Sequence, residues 1–361
     1  GPCLRQVRVP VGGVGAGNIL VGGRGDLQHF EICNRPNRVR KPVYTFFAVR
    51  VQSRDSEPVA RILERTPLAP FDTVSQRAAH GLPRFDETYF ENRYPVPRWR
   101  FNDERVPLKI EMEAVNPFIP LDLEASGMPL AAFSWNFHNP GRAACDVSLA
   151  LCLENPIRAE IIRNSVYRNS AIEGLRFASV RGASPNDTGA MLAVTPAGGA
   201  ILQTHGYPGR WRDDLHLFWD DFRDRGTLDP EERPWETDAR PLQYNEASNR
   251  NGTILLRFRL DPGESRRIPF YFCWYFPRRT FPAAETFGIE EAAGRVFENA
   301  YAERYDCVEE VLDDYLANEK WLDARTRRFA ECIHDSSLPA PVKEALVTQA
   351  ASLKSPLVQI A

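Results

Sequence analysis

The sequence lacks a surplus of charge of either sign: 45 Lys and Arg stand against 48 Asp and Glu, a formal net charge of −3 over 361 residues. A nucleic-acid partner is therefore not expected, because phosphate recognition needs a basic excess gathered on one face. The one local basic run, Arg35, Arg38, Arg40 and Lys41, reads as a solvated loop. No stretch approaches the ~18 consecutive apolar residues of a membrane helix, and the longest apolar run, Phe270 to Phe276, has the length of a strand. The amino terminus, Gly1-Pro2-Cys3-Leu4-Arg5, carries no apolar signal core. A cytoplasmic protein is the expectation, with peripheral membrane contact and oligomeric state left open.

Metal and cofactor signatures are missing as well. The six histidines form neither HxH nor HExxH, and the seven cysteines make no CxxC pair. Reduced, mostly buried thiols fit that pattern. Cys145 and Cys152 stand seven apart, an odd offset that puts them on opposite faces of a regular strand. A serine-hydrolase elbow (GxSxG) and the Gly-Lys-Ser/Thr of a phosphate loop are both absent. Neither a cofactor nor a metal is expected.

What is present is organised as strands first and helices after. Residues 1–280 read as a large antiparallel β-sandwich, with 29 prolines in the chain mostly punctuating short elements there. Val43 to Val51 is a strand. Leu130 to Phe137 and the alternating Val147, Leu149, Leu151 and Leu153 flank Asn139-Pro140-Gly141 and read as antiparallel neighbours. Two further hairpins are expected, one around Pro196-Ala197-Gly198-Gly199 and one around Asp261-Pro262-Gly263-Glu264. The second has the chemistry of a type II turn, with Gly263 at the position that needs positive φ. The strand Pro269 to Phe276 is apolar on both faces, so both must be covered, one of them by another domain.

Residues 281–361 change to a helical period. Helical runs are expected from Ile289 to Tyr305 and from Asp306 to Cys332, where Val308, Val311, Leu312, Tyr315 and Leu316 make one stripe. Asp335-Ser336-Ser337 reads as a break and cap before a last helix from about Pro341 to Leu353. These helices have no partner of their own kind in the sequence, so this second, helical domain is expected to be incomplete.

Two constellations invite a functional reading. Val11-Gly12-Gly13-Val14-Gly15-Ala16-Gly17 and Gly22-Gly23-Arg24-Gly25-Asp26 lack the strand–helix context of a dinucleotide loop and read first as tight backbone packing. The loop Tyr207 to Tyr244 sets Trp211, Trp219 and Trp235 among Asp213, Asp214, Asp220, Asp221, Glu236 and Asp238. Aromatic platforms with acids and arginine suit sugar binding, so Trp211, Trp219, Trp235 and Arg24 are the candidate substrate contacts. Anchoring of the loop to the sandwich is the competing explanation.

Four segments resemble the amino-terminal half of the non-lysosomal glucosylceramidase and β-glucosidase family, glycoside hydrolase family 116. They are Pro10 to Ile19 with Arg24-Gly25-Asp26-Leu27 and Phe30-Glu31-Ile32; Asn116-Pro117-Phe118-Ile119-Pro120-Leu121-Asp122 with Ser126-Gly127-Met128-Pro129-Leu130; Leu260 to Glu264 with Pro269-Phe270 and Trp274 to Pro277; and Asp335 to Pro339 with Leu353-Lys354-Ser355-Pro356. The resemblance implies a β-sandwich followed by the first helices of an (α/α)6 toroid. It implies hydrolysis of a β-glucoside or glucosylceramide-like substrate with retained configuration, by a Glu nucleophile and an Asp acid lying beyond the position of Pro356. No catalytic residue is transferred to this chain, and alone it is expected to be inactive. Asn18 and Gly23 replace the family's usual Thr and aromatic, which suggests a bacterial subgroup. Two other expectations compete: a non-catalytic glycan- or partner-binding sandwich, and a related toroid enzyme acting on another glycan.

Overall fold

A computed structural model of the chain describes residues 2–34, 42, 44–54, 56–67, 81–207, 213–238, 250–281 and 294–354. Two antiparallel sheets face each other. One has nine strands in the order Trp235–Asp238, Ile161–Arg168, Ile172–Arg181, Ala190–Pro196, Ser265–Tyr275, Leu130–His138, Lys109–Val115, Arg98–Asn102 and Glu87–Glu91. The other has six: Ile201–Gln203, Asn251–Leu260, Cys145–Glu154, Phe46–Ser53, Val59–Arg65 and Arg84–Phe85, the last paired parallel. A third, three-stranded sheet (Arg8–Val11, Asn18–Gly22, Leu27–Glu31) contributes Val9, Val11, Ile19, Val21, Leu27 and Phe30 to the core between the large sheets.

The period-two pattern explains the layering. Phe270, Phe272 and Trp274 point inward with Phe133, Trp135 and Phe137 from the paired strand, and meet Phe47, Val147, Leu149 and Leu151 of the opposite sheet. Phe47 lies 5.0 Å from Trp135 and 5.2 Å from Phe270, both edge-on, the arrangement aromatic quadrupoles favour. The alternate residues Tyr271, Cys273, Leu192, Val194, Leu130 and Ala132 face outward and are covered by the helix Val308–His334 through Val308, Val311, Leu312 and Tyr315. The strand apolar on both faces is thus covered on one by the opposite sheet and on the other by the helix, as its pattern requires.

The outer face of the six-stranded sheet is covered too. The helix Asp213–Arg225 lays Leu215, Phe218, Trp219 and Phe222, one stripe at helical spacing, onto Phe46, Ala48, Ala150 and Leu255. Its last carbonyls find donors in the sheet: Arg50 Nε donates to Arg223 O at 2.7 Å and Ser148 Oγ to Gly226 O at 2.6 Å. Gly226, at φ +63°, ends it. The order of layers is helix, six-stranded sheet, nine-stranded sheet, helix. Cys145 and Cys152 sit on opposite faces as their spacing predicts, Cys145 inside the sandwich and Cys152 under the helix.

Several expectations are corrected. None of the three hairpins is one. Leu130–His138 and Cys145–Glu154 lie in different sheets, as do Ala190–Pro196 and Ile201–Gln203, and Asn251–Leu260 and Ser265–Tyr275. The connections are arches that carry the chain across the core. The turn at Asp261 has the expected chemistry: Gly263 has φ +77°, and Glu264 N donates to Asp261 O at 3.0 Å. Two arches stack, with Asn139 N donating to Glu264 O and Gly263 N to Asn139 O, so what binds these corners is each other. The segment Tyr207 to Tyr244 is no simple loop, since it contains the helix Asp213–Arg225 and the strand Trp235–Asp238.

The helical run expected from Ile289 to Tyr305 is not helical where described. Residues 282–293 lie outside the described residues, Gly294 has φ +68°, Phe297–Glu298 pairs with Arg278–Arg279, and only a short 3-10 turn, Ala300–Glu303, follows. Asn299 fixes this corner by donating to Phe276 O and Asn34 Oδ1. Asp335 and Ser336 close the preceding helix rather than open the next: Ser336 Oγ donates to Ile333 O, and the helix Ala340–Ala351 starts from Pro339 without a side-chain cap. Val43 and the basic residues Arg35, Arg38, Arg40 and Lys41 lie outside the described residues.

Candidate functional site

One piece of each of the four segments carrying the sequence resemblance meets at one seam beside the helix Val308–His334: the glycine-rich turn before Asn18, the stretch Asn116 to Leu130, Trp274 and Lys354. Leu260 to Glu264 lies away from them at the Asn139 corner, and Ser355-Pro356 falls outside the described residues. The glycine-rich turn supplies backbone. Val14 N donates to Ser126 O at 2.7 Å, and Trp274 Nε1 donates to Ala16 O at 2.7 Å. A Cβ on Gly13 would stand 2.7 Å from Gly127 O and nearer still to Met128 O; one on Gly17, at φ +91°, would stand 2.6 Å from Glu31 O. Close backbone approach, the packing explanation, accounts for these glycines.

The segment between Lys109–Val115 and Leu130–His138 folds back on itself. Asn116 Nδ2 donates to Met128 O and Leu130 O, and Ser126 Oγ donates to Ile119 O while accepting from Ile119 N. Asp122 caps the one-turn helix Leu123–Ser126 through Ala125 N at 2.9 Å. Phe118 N donates to Thr326 Oγ1 of the long helix, and the Phe118 and Phe329 rings lie 5.2 Å apart. At the tip, Leu121 adopts φ +68° and is fully exposed, with Leu123 60% exposed beside it.

Charge completes the seam. Glu113 accepts from Arg98 Nε at 2.5 Å and from Arg327 Nη2 at 3.0 Å, tying the long helix to the sheet. Burial works against the charged carboxyl, but the Arg327 and Arg98 guanidinium groups outweigh it and hold its pKa below the ordinary glutamate value. Lys354, buried at the end of the last described helical segment, donates to Asn116 Oδ1, and its own carbonyl accepts from Asn18 Nδ2. The Tyr94 and Phe118 rings flank its side-chain nitrogen at 6.0 and 5.5 Å. Burial pushes its pKa well down.

The candidate sugar contacts do not gather here. Arg24 is 4% exposed and donates to Asp26 at 2.9 Å under the glycine turn. Trp219 is 5% exposed and packs beneath the helix Asp213–Arg225, on the opposite side of the sandwich from the seam. Trp235 stacks on His205 at 4.2 Å along the edge strand of the nine-stranded sheet. Trp211 lies outside the described residues. The three described residues occupy three separate packing environments.

Five of the buried carboxylates, Asp26, Glu64, Asp103, Glu113 and Glu154, each sit against an arginine (Arg24, Arg84, Arg61, Arg98 and Arg250), which suits structural anchoring more than proton transfer. Among the described residues no cluster of three or more His, Cys, Asp or Glu is arranged to hold a metal, and no helix is long and apolar enough to cross a membrane. Sequence reasoning missed the Arg98–Glu113–Arg327 tie and the Asn34–Asn299 corner. Only Asn116, a buried asparagine between the strand Lys109–Val115 and Pro117, gave a visible cue.

The family model described as beta-glucosidase 2, glycosyl-hydrolase family 116 N-term, matches residues 8–322. The chain belongs to that family. The match covers the first three of the four resembling segments and ends inside the helix Val308–His334. A search of curated proteins finds no match. Among solved structures, a protein described as a kojibiose phosphorylase from the human microbiome aligns with a TM-score of 0.37 and 10% identity over 85% of this chain. A polysaccharide lyase aligns with a TM-score of 0.32 and 12% identity over 75%. Likenesses this weak carry no argument. The chain spans 30% of the first protein and 33% of the second.

Proposed function

We propose that this chain is the supporting amino-terminal part of a retaining β-glucosidase or glucosylceramidase-type hydrolase. In this reading residues 1–280 form the scaffold and residues 281–361 begin the helical catalytic toroid, whose Glu nucleophile and Asp acid stand outside the chain. The family match over residues 8–322 carries the reading, supported by the helix Val308–His334 seated on the nine-stranded sheet. A neutral β-glucoside is the substrate class and the cytoplasm the expected compartment.

The exposed Leu121 and Leu123 add a detail. A leucine held at positive φ costs roughly 1–2 kcal/mol, and strain retained at an exposed tip points to use. On the helix-bearing side of the sandwich, the two side chains can form an apolar wall for the aglycone. Trp219, Trp235 and Arg24, in three separate packing environments, do not form one sugar subsite with them. The test is hydrolysis of an aryl β-glucoside by the whole protein, followed by NMR of the first-formed anomer. β-Glucose is expected first. α-Glucose, or turnover that requires phosphate, would sink the reading. Leu121→Ser should raise KM for a lipid-like aglycone and leave a small aryl glucoside unaffected.

A further inference from the structure

Beneath the helix Asp213–Arg225, on the face of the sandwich away from the seam, a hollow opens against the outer face of the six-stranded sheet. Its walls include Phe46, Tyr207, Phe218, Gln203, Asn251 and Thr253. Its enclosed part is about the size of one water-sized group. Two lining side chains are more than nine-tenths buried, Gln203 at 6% and Asn251 at 7% exposure, and each has an amide oxygen with no hydrogen-bond partner. Three further polar groups on the wall have partners of their own: Gln203 Nε2 donates to Asp229 O at 2.8 Å, Tyr207 OH donates to Asp221 Oδ2 at 2.6 Å, and Thr253 Oγ1 meets Cys152 Sγ at 3.7 Å. A buried acceptor without a donor is strongly unfavourable, and two lining one hollow mark a place where a donor belongs.

The chemistry of that donor follows from the wall. No lining residue is ionised: the Cys152 thiol is held neutral by burial, its pKa pushed up to about 12, and burial keeps the Tyr207 phenol neutral as well. A cation would enter an apolar, uncharged pocket with no counter-charge, which desolvation forbids. The guest must be neutral, must donate, and must be about one heavy atom across where it is enclosed. We propose that the hollow between Gln203 and Asn251 is a binding site for a single neutral hydroxyl group, either an ordered water or the hydroxyl of a small polyol or sugar. Gly206 belongs to the site because a Cβ there would stand 2.6 Å from Asn251 Oδ1 and crowd the amide. The site does not depend on the hydrolase reading, since it lies on the other face of the sandwich.

Two measurements on the whole protein test it. Crystals grown without polyol and crystals soaked in glucose should both show an oxygen within hydrogen-bond reach of Gln203 Oε1 and Asn251 Oδ1. An isolated peak unchanged by glucose identifies water, and density continuing into a ring identifies a sugar hydroxyl. No peak in either crystal, or both amides turned onto protein partners, overturns the site. Thermal melting of Asn251→Leu gives an independent reading. With a guest bound, losing one acceptor strands the guest and lowers Tm by several degrees. Without one, replacing an orphaned amide by an apolar group of similar size leaves Tm unchanged or raises it, and either result overturns the proposal. Gly206→Ala should lower Tm and remove the oxygen peak together; a retained peak counts against the placement.

Discussion

Leu312 is the sharpest probe of whether the long helix and the sandwich form one folding unit. Its side chain has no exposed surface and packs in the cluster holding Tyr271, Cys273, Leu192 and Val194. Leu312→Ala removes buried methyl groups at a site flanked by a rigid sheet, which cannot collapse into the cavity. Core Leu→Ala changes cost about 2–5 kcal/mol, so a loss near the middle of that range is expected. Because the stability of a domain is itself only about 5–15 kcal/mol, the effect should be plain in a urea titration. Two probes separate the layers: fluorescence of the six tryptophans that precede the long helix, of which Trp99, Trp135 and Trp274 are fully buried in the sandwich, and the helical circular-dichroism signal. Trp321, 49% exposed on the helix, is changed to Phe in every sample so that it does not mix the two. Both probes should move together to a lower midpoint. If the helical signal melts early while the tryptophan transition keeps its original midpoint, the helix is an independent bead and the reasoning from the two-faced strand is wrong. Leu346→Ala, at a site 45% exposed, is the control and should change stability by less than about 0.5 kcal/mol.

Glu113→Gln should cost about 1–3 kcal/mol, since it weakens charge-assisted hydrogen bonds to Arg98 and Arg327. Its lowered native pKa means that the wild type holds this contribution above the unfolded glutamate value and loses it as pH falls through the native one; equal acid sensitivity in the variant would refute the link. Gly13→Ala should destabilise by about 1–3 kcal/mol because the obstacles, Gly127 O and Met128 O, are backbone, and an unchanged melting temperature would show the seam to be looser than it looks. Lys354 has a native pKa well below its unfolded value, so stability should rise as pH climbs through the native value toward the unfolded one of about 10. Lys354→Met should flatten that rise, as read by melting at stepped pH.

The sequence made the core legible and the topology much less so. Alternation in Val147 to Leu153 picked out one apolar face, and Pro269 to Phe276 showed two faces that both needed cover, because burial acts on each side chain locally. Which strands are neighbours is a different question. A strand that turns back beside its partner and one that arches across to the facing sheet need the same apolar face and the same turn residues. Asp261-Pro262-Gly263-Glu264 makes its turn in either case. The choice is made by pairings far along the chain, such as Leu130 to His138 with Ser265 to Cys273, which no local pattern contains. The helix Asp213–Arg225 is a miss of another kind. Its stripe of Leu215, Phe218, Trp219 and Phe222 was readable, but the surrounding acids and arginines suggested solvent and ligand instead of a helix with one buried face.

That error shaped the candidate site. Tryptophans among carboxylates are what a sugar cleft and an amphipathic surface helix both look like, and only the face each residue takes separates them. Trp219 takes the buried face, and Asp220 and Asp224 the solvent side, where both pair with Arg223. The seam that the glycine turn, the Asn116 to Leu130 segment and Lys354 build around the long helix lies two sheets away, and packed sheets stand about 10 Å apart. A cleft opening on the helix side is therefore out of reach of Trp219 unless the helix Asp213–Arg225 leaves the sheet, exposing Leu215, Phe218 and Phe222 as it goes. Burial of each such side chain contributes roughly 1.5–3 kcal/mol, so that departure would cost more than a sugar contact returns. A sugar near Trp219 must therefore come to the far face of the sandwich, whereas the apolar wall proposed for the aglycone, Leu121 and Leu123, stands on the helix side.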